Sequence, residues 1–345
     1  MKSLKLSLYG ICKFNSKCHW TPVTTNQLRS LLSINGNPGK INYHRSRALS
    51  NKASQNYLST DDIKKFNENG FFVVENYLSI SKCDGLRNEI SRIINQHDFT
   101  NFHQVFACTE KGVTDKELHD EYFFDSWDKI RFFLEGDTIK NAKEPITNEN
   151  KKINKIGHNL HNLSQPFKEV SFDSSVKTIC QQLGFKKPAI CQSMFIFKTP
   201  KIGSRVTPHQ DASFLWTEPE CRILGFWIAL EDAKIENGCL WAVQGSHKNG
   251  LLNNVRFIRD PSMGKYVTRL CSEYPEIKDE EYVPVEVSKG SLVLIHGYVM
   301  HKSLPNISNK TRDIYTWHIV DVDGTKWHNS NWIQPPGGID DFSLL

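Results

Sequence analysis

The chain has 345 residues, 39% of them hydrophobic and 23% charged, and a formal net charge of +5. That is enough material for one large core or two small ones, and without a run of about 20 apolar residues no membrane span is expected. The charge is uneven: residues 1–60 hold nine Lys and Arg and no acid, so the rest carries 34 bases (43 less those nine) against 38 acids, a net of −4 and a poor match for nucleic acid.

Residues 1–58 therefore read as a leader, basic, Ser-rich and acid-free. This is the composition of an organelle transit peptide, which sets a mitochondrial address as the expectation and a cytoplasmic protein with a disordered basic tail as the alternative. Ser343-Leu344-Leu345 at the C-terminus is not the Ser-Lys-Leu peroxisomal address. Nine cysteines, an odd number with no Cys-x-x-Cys pair, read as buried thiols of a reducing compartment. No disulfide, zinc site or catalytic thiol is expected from them.

A single folded domain is expected over 59–345. Ser59-Thr60-Asp61-Asp62 offers helix caps, Ile63 and Phe66 share a face, and Gly70 ends the helix. Phe71 to Val74 predicts a short strand. Ser81 to Gln96 predicts an amphipathic helix with Leu86, Ile90, Ile93 and Ile94 on one side. The stretch 100–150 mixes aromatics and charge and predicts helix and loop. From about 188, short β-rich runs alternate with turn residues: Ala189 to Lys198, Leu224 to Leu230, Cys239 to Val243, Tyr282 to Val287, Ser291 to Ile295 and Asp313 to Val320. Helices first and regular short strands later predict a mainly β sandwich or barrel with helices on one face.

Within the β-rich half, Thr207-Pro208-His209-Gln210-Asp211 is the first chemical signal. In a strand, residues two apart share a face, so His209 and Asp211 are expected to project together. One imidazole and one carboxylate make half a metal site, and chance His-x-Asp pairs are common. A second histidine completes a facial triad that leaves three positions open on a non-haem iron. The competing histidines are His158, His161, His247, His296 and His301; His247 in Gly245-Ser246-His247 reads as part of a turn, His158 and His161 near Lys155 read as packing or hydrogen-bonding groups, and Arg312 lies eleven residues beyond His301.

Several stretches together are similar to the phytanoyl-CoA dioxygenase family over residues 61 to about 335. They are Lys155-Ile156-Gly157-His158, Pro208-His209-Gln210-Asp211, Gly225 to Leu230, Gly238-Cys239-Leu240, Gly245-Ser246-His247 and His296 to Ser303. The resemblance implies a double-stranded β-helix, a cupin-like jelly-roll barrel. It implies Fe(II) on His209, Asp211 and His301, because the family keeps an eleven-residue step from that histidine to the arginine. It implies Arg312 on the distal carboxylate of 2-oxoglutarate, where a planar guanidinium suits bidentate binding. Ser303 adds a hydroxyl beside it, and Lys155, Met194 and Trp227 match further cosubstrate-contacting positions. The ordinary fates of these residues are core for Met194 and Trp227 and a solvated amine for Lys155.

The implied reaction takes 2-oxoglutarate and O2 to succinate and CO2 and hydroxylates a C–H bond, with ascorbate in support. Related halogenases carry a small residue in place of the carboxylate; Asp211 is present, which favours hydroxylation. The expected partner is a small-molecule substrate, with an acyl or other lipid-like group suggested by the aromatic stretch Phe102, His103, Phe106, Phe123, Phe124 and Trp127. Oligomeric state is left open. Two rival readings are a catalytically silent barrel that only binds 2-oxoglutarate, and a generic metal cupin, which needs neither Arg312 nor Ser303.

Overall fold

The computed structural model describes residues 57–345 apart from 101, 103, 107–120 and 137–151. The expected transit peptide and most of the 100–150 stretch, with the side chains of His103 and Phe106, lie outside the described residues.

Local rules place the first elements. Helix α1 (Thr60–Asn69) starts on a reciprocal cap, in which Ser59 Oγ accepts from Asp62 N–H at 3.1 Å and the Asp62 carboxylate accepts from Ser59 N–H at 3.0 Å. It ends at Gly70, whose φ of +82° is left-handed and where a Cβ would stand 2.5 Å from the His247 ring. Helix α2 (Ile80–Asn95) is capped by Ser79 and buries Cys83, Leu86 and Ile90. Shorter helices follow: α3 (Glu121–Phe124), α4 (Leu160–Leu163), α5 (Gln165–Ser171) and α6 (Ser174–Gln182).

The strands are β1 (Phe71–Val74), β2 (Val105–Phe106), β3 (Ile130–Glu135), β4 (Ile153–His158), β5 (Pro188–Ile196), β6 (Val206–His209), β7 (Thr217–Glu218), β8 (Ile223–Ala229) and β9 (Leu240–Val243). They continue with β10 (Phe257–Arg259), β11 (Thr268–Leu270), β12 (Tyr282–Val285), β13 (Leu292–His296), β14 (His301–Ser303), β15 (Ile314–Asp321), β16 (Lys326–Trp327) and β17 (Ser343–Leu344). A nine-stranded sheet runs β1-β13-β8-β15-β5-β4-β3-β2, with β17 also paired to β5. A four-stranded sheet runs β12-β9-β14-β6. Only the β2–β3 contact among these is parallel. The jelly roll implied by the sequence is the architecture found.

Alternation sorts the large sheet into two faces. Leu224, Phe226 and Ile228 of β8, Leu292 and Leu294 of β13, and Tyr315, Trp317 and Ile319 of β15 join one apolar core with residues of α1, α2, α5 and α6. The residues between them, Gly225, Trp227, Thr316 and His318, face the other way, where β6 and β14 run. Among the described residues no helix is long and apolar enough to cross a membrane. All six described cysteines are free; only Cys271 is exposed.

Candidate metal centre and cosubstrate site

The four-stranded sheet brings two histidines together by register. In the β14–β6 pairing His301 stands opposite His209, and their ring centroids are 4.2 Å apart. Strand β6 ends at His209, and Asp211 opens a short 3-10 turn (Asp211–Ser213). Convergence thus comes from a strand end plus a turn, rather than from two positions on one continuous strand as the sequence pattern suggested. One atom each from His209, Asp211 and His301 lies within 4.8 Å of the others.

Each imidazole gives its Nδ1–H to a carbonyl two residues back, His209 to Thr207 O at 2.9 Å and His301 to Val299 O at 3.0 Å. A carbonyl only accepts, so the bond fixes the tautomer and leaves Nε2 as the inward atom. Both Nε2 atoms stand 3.7 Å from Asp211 Oδ1. Burial, with His301 beside it, pushes His209 down to about 4, so it is neutral at pH 7. Burial works to raise the Asp211 carboxyl, but His318, His301 and His209 outweigh it and hold the group well below the usual carboxylate range. An imidazole nitrogen from each histidine and an ionised carboxylate, aimed at one point, make a donor set for a cation. Asp211 Oδ2 is moreover buried without a hydrogen bond, with His318 Nε2 at 3.3 Å outside hydrogen-bond geometry. This donor set fits a non-haem ferrous ion.

The large sheet supplies the remaining side chains. Lys155 on β4 is buried, its Nζ 4.0 Å from Met194 Sδ and 5.1 Å from the Phe133 ring centre. Met194 lies opposite Thr316, and Thr316 opposite Trp227, across neighbouring strands. Ser303, also buried, shares a face of β14 with His301. Arg312 enters just ahead of β15 and is 2% exposed, with its guanidinium carbon 5.6 Å from the Trp227 ring centre. Its Nε is buried without a partner, and no carboxylate among the described residues is within ion-pair distance. Burial lowers it to about 10, which leaves it cationic at neutral pH.

The model of the phytanoyl-CoA dioxygenase family matches residues 66–314. This chain belongs to that family. Its enzyme class is accordingly that of the non-haem iron, 2-oxoglutarate-dependent dioxygenases. Among curated relatives, phytanoyl-CoA dioxygenase domain-containing protein 1 of Bos taurus is 41% identical over 279 residues, 81% of this chain and 95% of its own length. Its Caenorhabditis elegans homolog is 40% identical over 273 residues, covering 79% and 94%. Two solved structures share the fold at low identity. They are the non-heme alpha ketoglutarate dependent carbocyclase SnoK of nogalamycin biosynthesis (TM-score 0.56, 15% identity, 85% of this chain and 100% of that one) and EctD from S. alaskensis with 2-oxoglutarate and 5-hydroxyectoine (0.52, 16%, 86% of each).

In this member of the phytanoyl-CoA dioxygenase family the competing histidines have other work. His296 accepts from Tyr298 N–H, and its ring lies 5.0 Å from that of His247. His247 donates to Asn67 O at the end of α1. His158 pairs with Ser126 and packs on Trp332, and His161 pairs with Ser193. Of the aromatic stretch, Phe123 and Phe124 are buried beside Trp332, with Trp127 packed on the same cluster, and Phe102 packs on the helix-side core.

Two contributors had no assigned role from sequence. A Cβ on Gly225 would lie 3.3 Å from Asp211 Oδ2, so the missing side chain leaves room for the carboxylate against β8. Gln192 Nε2 lies 3.2 Å from His318 Nδ1 and orients that ring beside Asp211. Parity along β8 and β15 puts Gly225 and His318 on the interior face, a signal present in the sequence.

Proposed function

We propose that this chain is an Fe(II)- and 2-oxoglutarate-dependent hydroxylase of a small-molecule substrate, with iron held by His209, Asp211 and His301. The observation that carries this reading is a 2-His-1-carboxylate cluster together with a buried guanidinium that has no carboxylate in contact among the described residues. A generic metal cupin has no use for the second of these.

Ferrous iron with a chelating 2-oxo acid supplies the oxidising chemistry: R–H, 2-oxoglutarate and O2 become R–OH, succinate and CO2. The protein's own side chains bind, orient and keep water out. Arg312 receives the distal carboxylate through parallel N–H donors, with Ser303 adding a hydroxyl donor. Lys155 supplies a second positive charge for a dianion. Trp227 and Met194 wall the cosubstrate from solvent, which strengthens both charge contacts. No protein base is needed, because the substrate loses a hydrogen atom rather than a proton. The substrate offers an unactivated C–H bond on an acyl or similarly apolar group, a choice supported by the apolar cluster in which Phe123, Phe124, Trp127 and Trp332 pack with Ala212 and Leu215, close in sequence to Asp211.

The test supplies Fe(II), ascorbate and 2-oxoglutarate in air and measures succinate. Iron-dependent succinate release that Asp211→Ala abolishes is the expected result. An Asp211→Ala protein with undiminished turnover overturns the metal assignment. Binding of 2-oxoglutarate with no succinate formed would instead favour the silent barrel. The basic leader supports delivery to the mitochondrion, which a fluorescent fusion of the full chain and one lacking residues 1–58 would compare.

A further inference from the structure

Arg312 is aimed inward by a set of charged groups outside the cosubstrate contacts. Glu231, just past β8, holds both neighbours of Arg312: its Oε1 accepts from Thr311 Oγ1 at 2.7 Å and its Oε2 from Asp313 N–H at 3.0 Å. Asp313 O accepts from Leu230 N–H at 3.0 Å, so the segment is stitched to the β8 end from both sides. Arg87, on helix α2 and more than 200 positions away in sequence, closes the set. Its guanidinium reaches Glu231 Oε1 at 2.9 Å and Asp313 Oδ2 at 3.1 Å.

The charges matter as much as the stitching. Glu231 and Asp313 are two carboxylates near Arg312, and both act on it electrostatically. With Arg87 in place, the four groups Arg87, Glu231, Asp313 and Arg312 sum to zero. Without it they sum to −1, beside the place where a dianion must bind. A half-buried location keeps that field from being fully screened.

We infer that Arg87 is a positioning residue for the cosubstrate, holding and charge-balancing Arg312 through Glu231 and Asp313 without touching the ligand. This rests on the reading of Arg312 as the carboxylate anchor. It makes helix α2 part of the 2-oxoglutarate site. It also predicts opposite signs for two changes in one ion-pair network. Arg87→Gln removes a positive charge and weakens 2-oxoglutarate binding. Asp313→Asn removes a negative charge and tightens it. A purely structural network would weaken binding in both.

The experiment titrates 2-oxoglutarate into the Fe(II)-loaded full chain without oxygen, by calorimetry, and Fe(II) alone in parallel. The expected result is a rise in Kd of about fivefold for Arg87→Gln, within the usual range of site coupling. Asp313→Asn should bind slightly tighter, and Arg87→Gln with Asp313→Asn should return near wild type. Arg87→Lys, which keeps the charge, should stay close to wild type, and Fe(II) affinity should hold throughout. The inference is overturned by Arg87→Gln with unchanged affinity, or by weakening in both single variants, while Arg312→Gln still loses 2-oxoglutarate. If Arg312→Gln binds 2-oxoglutarate normally, the anchor itself is misassigned and the inference goes with it.

Discussion

The two faces of the large sheet are made from the same strands and obey opposite rules. On the helix side, Phe226 and Trp317 stack at 5.0 Å and 16°, within a core of aliphatic and aromatic side chains. One residue along, the interior side presents Gly225, Thr316 and His318, with Gln192, Met194 and Lys155 on neighbouring strands. The helix side gains from every methylene removed from water. The interior side loses by burying Arg312 and Asp211, whose Nε and Oδ2 have no hydrogen bond among the described residues, and such burial persists in a stable protein when a ligand completes those groups. Stability and chemistry are thus separated by the alternation of a strand, at a distance of one residue.

The sharpest way to break that comparison is a pair of substitutions, one per face. Asp211→Ala should lose at least about a hundredfold in succinate formation, since it removes a metal ligand outright. Its melting temperature without metal should stay near wild type. Trp317→Ala should do the reverse, costing about 3–5 kcal/mol of stability through the cavity it leaves, while the surviving folded fraction still binds iron. Thermal melts and iron titrations on both variants read the outcome. A destabilised Asp211→Ala and a stable, iron-free Trp317→Ala would erase the distinction between the faces.

Within the interior face the ligand sets can also be separated. Arg312→Gln should raise the Kd for 2-oxoglutarate by about a hundredfold, the weight of a charge-assisted bidentate contact, and leave Fe(II) binding intact. Gly225→Ala should behave in the opposite sense. Its new methyl would crowd Asp211 Oδ2 and the Ile295 side chain, each 3.3 Å from the added carbon. Iron affinity should fall about tenfold, with 2-oxoglutarate following only through the metal. Equal effects of both variants on both ligands would mean that the interior responds as one unit.

Much of this division can be read from the chain. Ser59, Asp62 and Gly70 mark the ends of α1 because caps are local chemistry. The alternation in Leu224 to Leu230 separates Phe226 from Trp227 because a strand has period two. His209 and Asp211 are visible as a pair, although the turn that brings them together is not the strand geometry their spacing suggests. Helices α4 to α6 escape such a reading: each is four to nine residues long, too short for a full apolar stripe. Asp173 capping α6 and a Pro in the first turn of α5 are the signals that mark them. What no local pattern carries is register. That His301 faces His209, or that Arg87 reaches Asp313 across 226 positions, depends on which strands and helices become neighbours.

An effect that appears only as pH changes is expected at Asp313, next to Arg312 and paired with Arg87. Burial and the adjacent Glu231 carboxylate raise this group from 3.8 to about 6, with Arg87 offsetting part of the rise. The folded chain therefore holds the proton more tightly than the unfolded chain. The stability this contributes is complete below about pH 4, falls as pH rises, and is gone above about 6. Asparagine has no proton to lose, so Asp313→Asn should match wild type near pH 4 and then pull ahead. The gap should open between about pH 4 and 6 and level off at roughly 1–3 kcal/mol. Urea unfolding of both proteins from pH 4 to 8 measures it. A variant that instead falls behind wild type at pH 8 would show that the Arg87 ion pair outweighs burial. Asp313 would then belong with the helix-side scaffold, as a stabilising contact, rather than with the strained polar interior that the ligand completes.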